Sequence, residues 1–225
     1  MVHTRSLVRG VRDGLPIVPG IIPFAMIVGA VGTQIGMSPS QIVVMSVFVI
    51  DGAAQLTAIE LMSANAPTVV VIVTGLIVVL RYAMYSASLA PYFGTYSTPK
   101  QWFSAFLITD PSYALSITEY EESEVEHFSY YVGVGVLIWV SWSLSTAVGV
   151  VVGEWIPEGL RLEFIIPLVF LALVFPTITD TPTGVAAVVG AITATLAHPI
   201  PYNAGLILAA SVGVVAGTIT EHRWH

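Results

Sequence analysis

The sequence predicts an all-α integral membrane protein: a polytopic helical bundle with roughly seven or eight transmembrane segments, several of them broken or half-length. Of the 225 residues, 56% are hydrophobic and only 9% are charged, and the mean hydropathy is +0.86. A soluble domain carries about 25% charged residues. We therefore expect residues 1–225 to form a single transmembrane domain in the cell membrane, in contact with the lipid bilayer.

Composition also excludes several classes of protein. The chain has no cysteine, which excludes a disulfide scaffold and a thiolate metal site, and its net charge of -7 is opposite to that of a nucleic-acid binder. The sequence contains neither an HExxH nor a GxSxG motif, and its histidines lie in termini or connections. We expect no enzymatic activity, no metal, no cofactor and no nucleic-acid partner.

The N-terminal half contains four predicted spans, each preceded by a polar or proline-containing stretch. These are about Leu15–Gly36, Gln41–Ser63, Pro67–Ala90 and Trp102–Tyr120. Breaks are predicted in three of them: in the first span by Pro16, Pro19, Gly20 and Pro23, in the second by Asp51-Gly52 and in the fourth by Asp110-Pro111. No break is predicted in the third.

The C-terminal half begins with an acidic run, Glu119 to Glu126, which is predicted to be a solvated loop because its like charges repel. Phe128–Gly153 follows as an uncharged span. Phe164–Pro176 and Thr183–Ala197 are too short to cross readily, so they are either two tilted crossings or two half-helices, and Tyr202–Thr220 is the last full span. Arginines near the amino terminus predict that it is cytoplasmic: Arg5, Arg9 and Arg12.

The helix breaks indicate where a binding site lies. Broken helices are tolerated in a membrane only where they face protein or a water-filled cavity, because every backbone amide needs a partner. Asp51, Asp110 and Asp180 each stand at a break. Unwound backbone beside an ionisable group is how transporters form a binding site at mid-membrane.

A second indication is Arg81, which lies about 14 residues into its predicted span. A charge at this depth costs roughly 2.5–3.5 kcal/mol and needs a partner. The partner is either Asp51, Asp110 or the carboxylate of a ligand, since a guanidinium binds a carboxylate in a bidentate manner. The alternative is a permanent ion pair that only joins helices.

The remaining candidates add polar groups of other kinds. Gln55 shares a helix face with Asp51, while the hydroxyls of Tyr82 and Tyr85 follow Arg81 closely. Asp180 or Thr181 caps a helix whose first amides are able to hold a carboxylate. The predicted substrate- and ion-binding residues are Asp51, Gln55, Arg81, Tyr82, Tyr85, Asp110, Asp180 and Thr181.

Such a set suits a small zwitterion with a hydrophobic side chain, which favours a secondary transporter of hydrophobic amino acids. A channel, or a structural membrane subunit without carrier activity, remains the alternative. Small residues recur at four-residue spacing on two spans, and they either pack within this chain or receive a separate small subunit. These are Ser141, Ser145, Gly149 and Gly153, and Gly205, Ala209, Gly213 and Gly217.

Four blocks resemble one family in order and separation. They are "GLPIVPGIIPFAMIVGAVGTQIGMS", "DGAAQLTAIELM", "LRYAMYSASLAPYF" and "ITDPSYAL", within Gly14–Leu115. These blocks resemble the AzlC family of branched-chain amino acid permeases, the large subunits of two-component amino acid exporters. The resemblance implies export of valine, leucine, isoleucine or methionine analogues, driven by the proton gradient. It also implies a small membrane partner subunit resembling the AzlD family.

The resemblance carries over to some candidate residues and not to others. Arg81 and Asp110 match charged positions of the family pattern, although the pattern has Asn and His around the arginine, where this chain has Val79 and Tyr82. Asp51 departs from the pattern, which has a small apolar residue there. A different substrate or coupling ion therefore stays open.

Overall fold

The computed structural model describes residues 3–122, 125–155, 178, 180–197 and 204–224. Within these ranges the secondary structure is helical, without strands, which confirms the all-α class. The chain divides into two compact units, Met1–Leu160 and Arg161–His225. The prediction of one domain over 1–225 stays a prediction.

The first unit contains nine α-helices among its described residues. They are α1 (Thr4–Gly14), α2 (Val18–Gln34), α3 (Pro39–Phe48), α4 (Gly52–Ser63), α5 (Thr68–Val78), α6 (Arg81–Phe93), α7 (Thr98–Phe106), α8 (Asp110–Glu122) and α9 (His127–Glu154). A 3₁₀ turn, Leu15–Ile17, joins α1 to α2. The described part of the second unit contains α10 (Thr181–Leu196) and α11 (Ala204–Trp224).

Two helices in the described ranges are long and apolar enough to cross a membrane alone. They are Thr4–Gln34, of 31 residues, and His127–Glu154, of 28 residues. The pair α5 and α6, bent by 42°, passes the same test together. The number of transmembrane segments stays a prediction, and Phe164–Pro176, on which it depends, lies outside the described residues.

Of the three predicted breaks in the N-terminal half, those at Asp51-Gly52 and Asp110-Pro111 are confirmed. The prolines of the first span give only the 3₁₀ turn Leu15–Ile17 within a helix of 31 residues. Between α3 and α4 the backbone is extended at Val49 and at Asp51, which is the N-cap of α4. Between α7 and α8 the helix stops at Phe106 and resumes at Asp110.

The third predicted span, Pro67–Ala90, contains a break that the sequence did not predict. The helix stops at Val78, bends and resumes at Arg81, the first residue of α6. Neither proline nor glycine stands at the bend, so the local sequence gives no sign of it. The bend coincides with the ion pairs of Arg81, which are contacts that only the folded chain makes.

The prediction that the acidic run forms a loop was wrong for its first half. Glu119, Glu121 and Glu122 lie in the last turns of α8, and Glu126 caps the N-terminus of α9. Glu119 is tolerated there because Arg9 of α1 forms an ion pair with it at 2.6 Å. Repulsion estimated from sequence spacing alone does not include this partner from elsewhere in the chain.

Glycines bring α9 into backbone contact with the first long helix. A Cβ at Gly29 of α2 would overlap the carbonyl oxygen of Thr146, and a Cβ at Gly149 of α9 would overlap that of Met26. The small residues of α9 therefore pack within this chain, as the first of the two readings predicted. In the second unit, Gly213 of α11 packs in the same way against α10.

A cluster of buried apolar and aromatic side chains joins α6, α7, α8 and α9. Leu89 and Phe93 of α6 pack with Leu107 and with Tyr131 of α9, which is fully buried. The hydroxyl of Tyr131 donates to the carbonyl of Ser104, 3.0 Å away. This cluster fixes α6 and the segment before α8 against the long helix α9.

Candidate binding site at three helix breaks

The three breaks of the first unit meet at one ion cluster, formed by Asp51, Arg81 and Asp110. Nη2 of Arg81 lies 2.5 Å from Oδ2 of Asp51 and 3.1 Å from Oδ2 of Asp110. Nε of Arg81 lies 3.0 Å from Oδ1 of Asp110. The sequence prediction that Arg81 binds either Asp51 or Asp110 is thus extended: the guanidinium binds both carboxylates.

Each member of the ion cluster stands where a half-helix begins. Asp51 caps α4 by accepting a hydrogen bond of 2.8 Å from the amide of Ala54, Arg81 opens α6 and Asp110 opens α8. The N-terminus of a helix carries a partial positive charge, so it favours the two carboxylates and disfavours the guanidinium. Arg81 is stable at this position because two carboxylates lie against it.

Two tyrosines complete the ion cluster. Tyr82 donates its hydroxyl to Oδ2 of Asp51 at 2.8 Å, and Tyr85 donates to Oδ1 of Asp110 at 2.9 Å. The ring of Tyr85 stacks on Tyr113, with ring centres 4.2 Å apart. Tyr113, which the sequence analysis did not single out, therefore holds Tyr85 in position from α8. Its signal in the sequence, three residues after Asp110, is too weak to have identified it.

Gln55 does not join the ion cluster through its hydrogen bonds. Its Nε2 donates to Oγ of Ser46 at 2.9 Å, and its Oε1 accepts from Nε1 of Trp142 at 3.1 Å. These bonds connect α3, α4 and α9. The buried amide of Gln55 thereby fixes α4, the helix that Asp51 caps. Its predicted role in binding stays a prediction.

Exposure increases across the ion cluster. The exposed fraction of the side chain is 1% for Asp51, 32% for Arg81 and 53% for Asp110. With both carboxylates ionised the three side chains carry a net charge of -1. The arrangement can receive a proton or an ammonium group at its open end, at Asp110, and it can offer the guanidinium to an anionic group.

Asp180 and Thr181 belong to the second unit. Asp180 is the N-cap of α10, and its Oδ1 accepts from the amide of Thr183 at 2.8 Å, while Thr181 is the first residue of the helix. The prediction that one of them caps the helix is confirmed for Asp180. One amide that was expected to be available to a ligand is thus already bonded. The predicted part of both residues in binding stays a prediction.

The described residues define an α-helical membrane protein with a polar site at broken helices, and comparison with known proteins gives its family. The AzlC family model, described as AzlC protein, matches residues 16–156, which include the whole ion cluster. The chain belongs to the AzlC family, a family of membrane proteins related to branched-chain amino acid transport.

The chain is also similar to individual membrane proteins along most of its length. It is 25% identical to the inner membrane protein YgaZ of Escherichia coli strain K12, over 96% of this chain and 89% of that protein. It is 26% identical to an uncharacterized membrane protein of Archaeoglobus fulgidus, over 97% of this chain and 95% of that protein. No solved structure matches the chain significantly.

Proposed function

We propose that the protein is a secondary transporter that exports small hydrophobic amino acids, such as valine, leucine and isoleucine, across the cell membrane. The observation that carries the proposal is Arg81, held between Asp51 and Asp110 where three half-helices begin. Half-helix termini beside charged side chains are the usual means of binding a zwitterion at mid-membrane. Membership of the AzlC family supports the same substrate class.

The ion cluster offers a means of coupling transport to protons. Asp110 is the more exposed carboxylate and contacts both Nε and Nη2 of Arg81. An ionised Asp110 is able to bind the ammonium group of a substrate, and a proton on Asp110 removes that charge and releases the substrate. Asp51 stays paired with Arg81 and with the hydroxyl of Tyr82. Substrate and proton therefore occupy the site in turn, so that protons moving into the cell drive the substrate out.

The proposal includes a partner subunit, an orientation and the absence of catalysis. A small AzlD-like membrane subunit completes the exporter, and the amino terminus is cytoplasmic, where Arg5, Arg9 and Arg12 match the positive charge of cytoplasmic segments. The protein carries out no chemical step on its substrate. Within the described residues no three His, Cys, Asp or Glu side chains are placed to hold a metal ion.

The test measures uptake and counterflow of labelled valine and leucine in proteoliposomes, with and without the small subunit. We expect saturable counterflow in the wild type and loss of counterflow in Arg81→Gln. Arg12→Gln, which removes an exposed arginine of α1, serves as the matched control and keeps wild-type counterflow. Flux that rises linearly with concentration, without counterflow, would instead identify a channel, and no flux with the subunit present would identify a structural role.

Proton coupling has its own variant. In Asp110→Asn the side chain cannot be protonated, so we expect that an imposed pH gradient no longer drives net flux and that the counterflow that remains no longer depends on pH. Glu60→Gln, which neutralises an exposed carboxylate of α4, keeps gradient-driven flux. Net flux that follows the pH gradient equally in Asp110→Asn and in the wild type would refute this assignment.

A further inference from the structure

A cavity of about 320 Å³ lies between α6 and α7, against α9. Its walls include Leu89 and Phe93 of α6, Ala105 and Ile108 of the α7 segment, and Tyr131 of α9. A water molecule occupies about 30 Å³ of liquid, so the cavity has room for about ten water-sized groups. The cavity therefore has ample room for the branched side chain of leucine.

The cavity and the ion cluster lie along the same two segments of the chain, although no residue of the ion cluster lines the cavity. α6 begins at Arg81 and α7 leads to Asp110, and these two side chains are in contact. At their other ends the two helices are joined by the short segment 94–97. The cavity, lined from Ser86 to Gly94 on one side and from Gln101 to Ile108 on the other, therefore lies between the ion cluster and this connection.

Helical spacing places the tyrosines of the ion cluster at the head of the same cavity wall. Tyr82 and Ser86 are four residues apart, as are Tyr85 and Leu89, so each pair shares a face of α6. Ser86 lies only five residues from Arg81, which is about 7.5 Å along the helix axis. One amino acid is long enough to reach from the ion cluster into the cavity.

The polar groups of the cavity wall are already bonded within the chain, apart from the hydroxyl of Ser86. Nε2 of Gln101 donates to the carbonyl of Tyr96 at 3.1 Å, and Oγ of Ser104 donates to that of Lys100 at 2.9 Å. Tyr131 donates to the carbonyl of Ser104. The surface left to a ligand is therefore mainly apolar.

From these observations we propose that the cavity receives the branched side chain of the transported amino acid, while its charged groups bind at the ion cluster. The inference rests on the proposed function and adds the residues that select the substrate. An apolar cavity beside a zwitterion-binding cluster has the chemistry of valine and leucine, one half charged and one half hydrocarbon. Ala90 and Ala105 are small, exposed residues at the edge of the wall, where a larger side chain would narrow the cavity.

The experiment compares valine with leucine counterflow in Ala90→Leu and Ala105→Leu. In a hydrophobic pocket one methylene group changes selectivity by about 10- to 200-fold. We expect the ratio of leucine to valine counterflow to fall by about tenfold or more in both variants. Ala87→Leu is the matched control, because it makes the same change on α6 at a residue that does not line the cavity.

Two readouts keep the test decisive. If a cavity variant transports neither amino acid, the test instead measures how much each amino acid raises the melting temperature of the purified protein. We expect the same fall in the ratio of stabilisation by leucine to stabilisation by valine. An unchanged ratio in both variants, by flux or by stabilisation, overturns the inference. The inference is also overturned if a lipid copurifies with the wild type but not with the cavity variants while the leucine-to-valine ratio stays unchanged. In that case the cavity holds an acyl chain. Absence of valine and leucine counterflow in the wild type would instead overturn the proposed function.

Discussion

Replacing Arg81 by glutamine removes the only positive charge of the ion cluster and leaves Asp51 behind. The Asp51 side chain is 1% exposed and loses a hydrogen bond of 2.5 Å from the guanidinium. Breaking a buried ion pair from one side costs about 3–5 kcal/mol. Arg81 is one-third exposed, and Asp51 keeps its hydrogen bonds from Tyr82 and Ala54. We therefore expect the lower end of this range, a decrease of about 3 kcal/mol in the free energy of unfolding.

This loss is large enough to measure as a melting temperature. For a protein of this size 1 kcal/mol corresponds to about 2–4 °C, so Arg81→Gln should melt about 6–12 °C below the wild type in detergent. Arg12→Gln, an exposed substitution, should stay within about 0.5 kcal/mol of the wild type. If the ion pairs of Arg81 were fully exposed, losing them would lower the free energy of unfolding by no more than about 1 kcal/mol.

A double-variant cycle identifies the cause. If the cost arises from an uncompensated carboxylate, adding Asp51→Asn to Arg81→Gln recovers about 1–2 kcal/mol, since a neutral amide needs no counter-charge. A melting temperature of Arg81→Gln equal to that of the wild type would refute the reasoning. So would a double variant whose loss equals the sum of the two single losses.

Three further predictions concern packing, pH dependence and capping. Gly29→Ala should lower the free energy of unfolding by about 1–3 kcal/mol, since the added Cβ meets the backbone of α9. Gly20→Ala is the control: its Cβ meets nothing within 4 Å, so thermal melts should show a neutral or stabilising effect. Burial acts to raise the pKa of Glu126, but hydrogen bonds from Ser129 and Tyr96 outweigh it and lower the pKa. The stabilisation is therefore present above the ordinary carboxyl pKa and lost as pH falls through the lowered pKa. In melts at varied pH, wild type and Glu126→Gln should differ near pH 7 and converge once the pH lies below the lowered pKa. Asp180→Ala should lower the melting temperature, and Asp180→Ser should recover most of the loss, because serine also caps a helix.

Each of these predictions has a contradicting outcome. Equal melting temperatures for Gly29→Ala and Gly20→Ala would show that α2 does not pack against α9 at this distance. A constant difference between Glu126→Gln and wild type from pH 7 to pH 3 would exclude the titration of Glu126 as its cause. An Asp180→Ser variant that melts as low as Asp180→Ala would show that loss of the helix cap is not the cause of the destabilisation.

The sequence predicted the fold wherever the local signal is strong. The uncharged stretch Phe128–Gly153 lies entirely within α9, because such a length of apolar residues has few alternatives to a long helix. The interruptions at Asp51 and Asp110 were predicted because aspartate favours a helix N-cap and proline the first turn of a helix. The bend before Arg81 was missed, since no residue at Val79 or Leu80 favours a break.

The candidate site was predicted in its membership more than in its geometry. Charged side chains are rare within a membrane because burying them there costs free energy. This argument identified Arg81, Asp51 and Asp110 individually, without their contacts. Gln55 was grouped with them because it shares a helix face with Asp51, but its hydrogen bonds go to Ser46 and Trp142. Helix periodicity gives the face on which a side chain lies and does not give the helix that packs against that face.

The sequence by itself determined that this chain is an apolar all-α protein with charged groups at breaks in its helices, because hydropathy and the preferences of aspartate and proline act over a few neighbouring residues. Only the tertiary structure decided that Arg81 binds both carboxylates, that Glu119 is neutralised by Arg9, and that a cavity lies between α6 and α7. These features depend on residues far apart in the chain. Their energies arise from distances that the helices acquire only when they pack together.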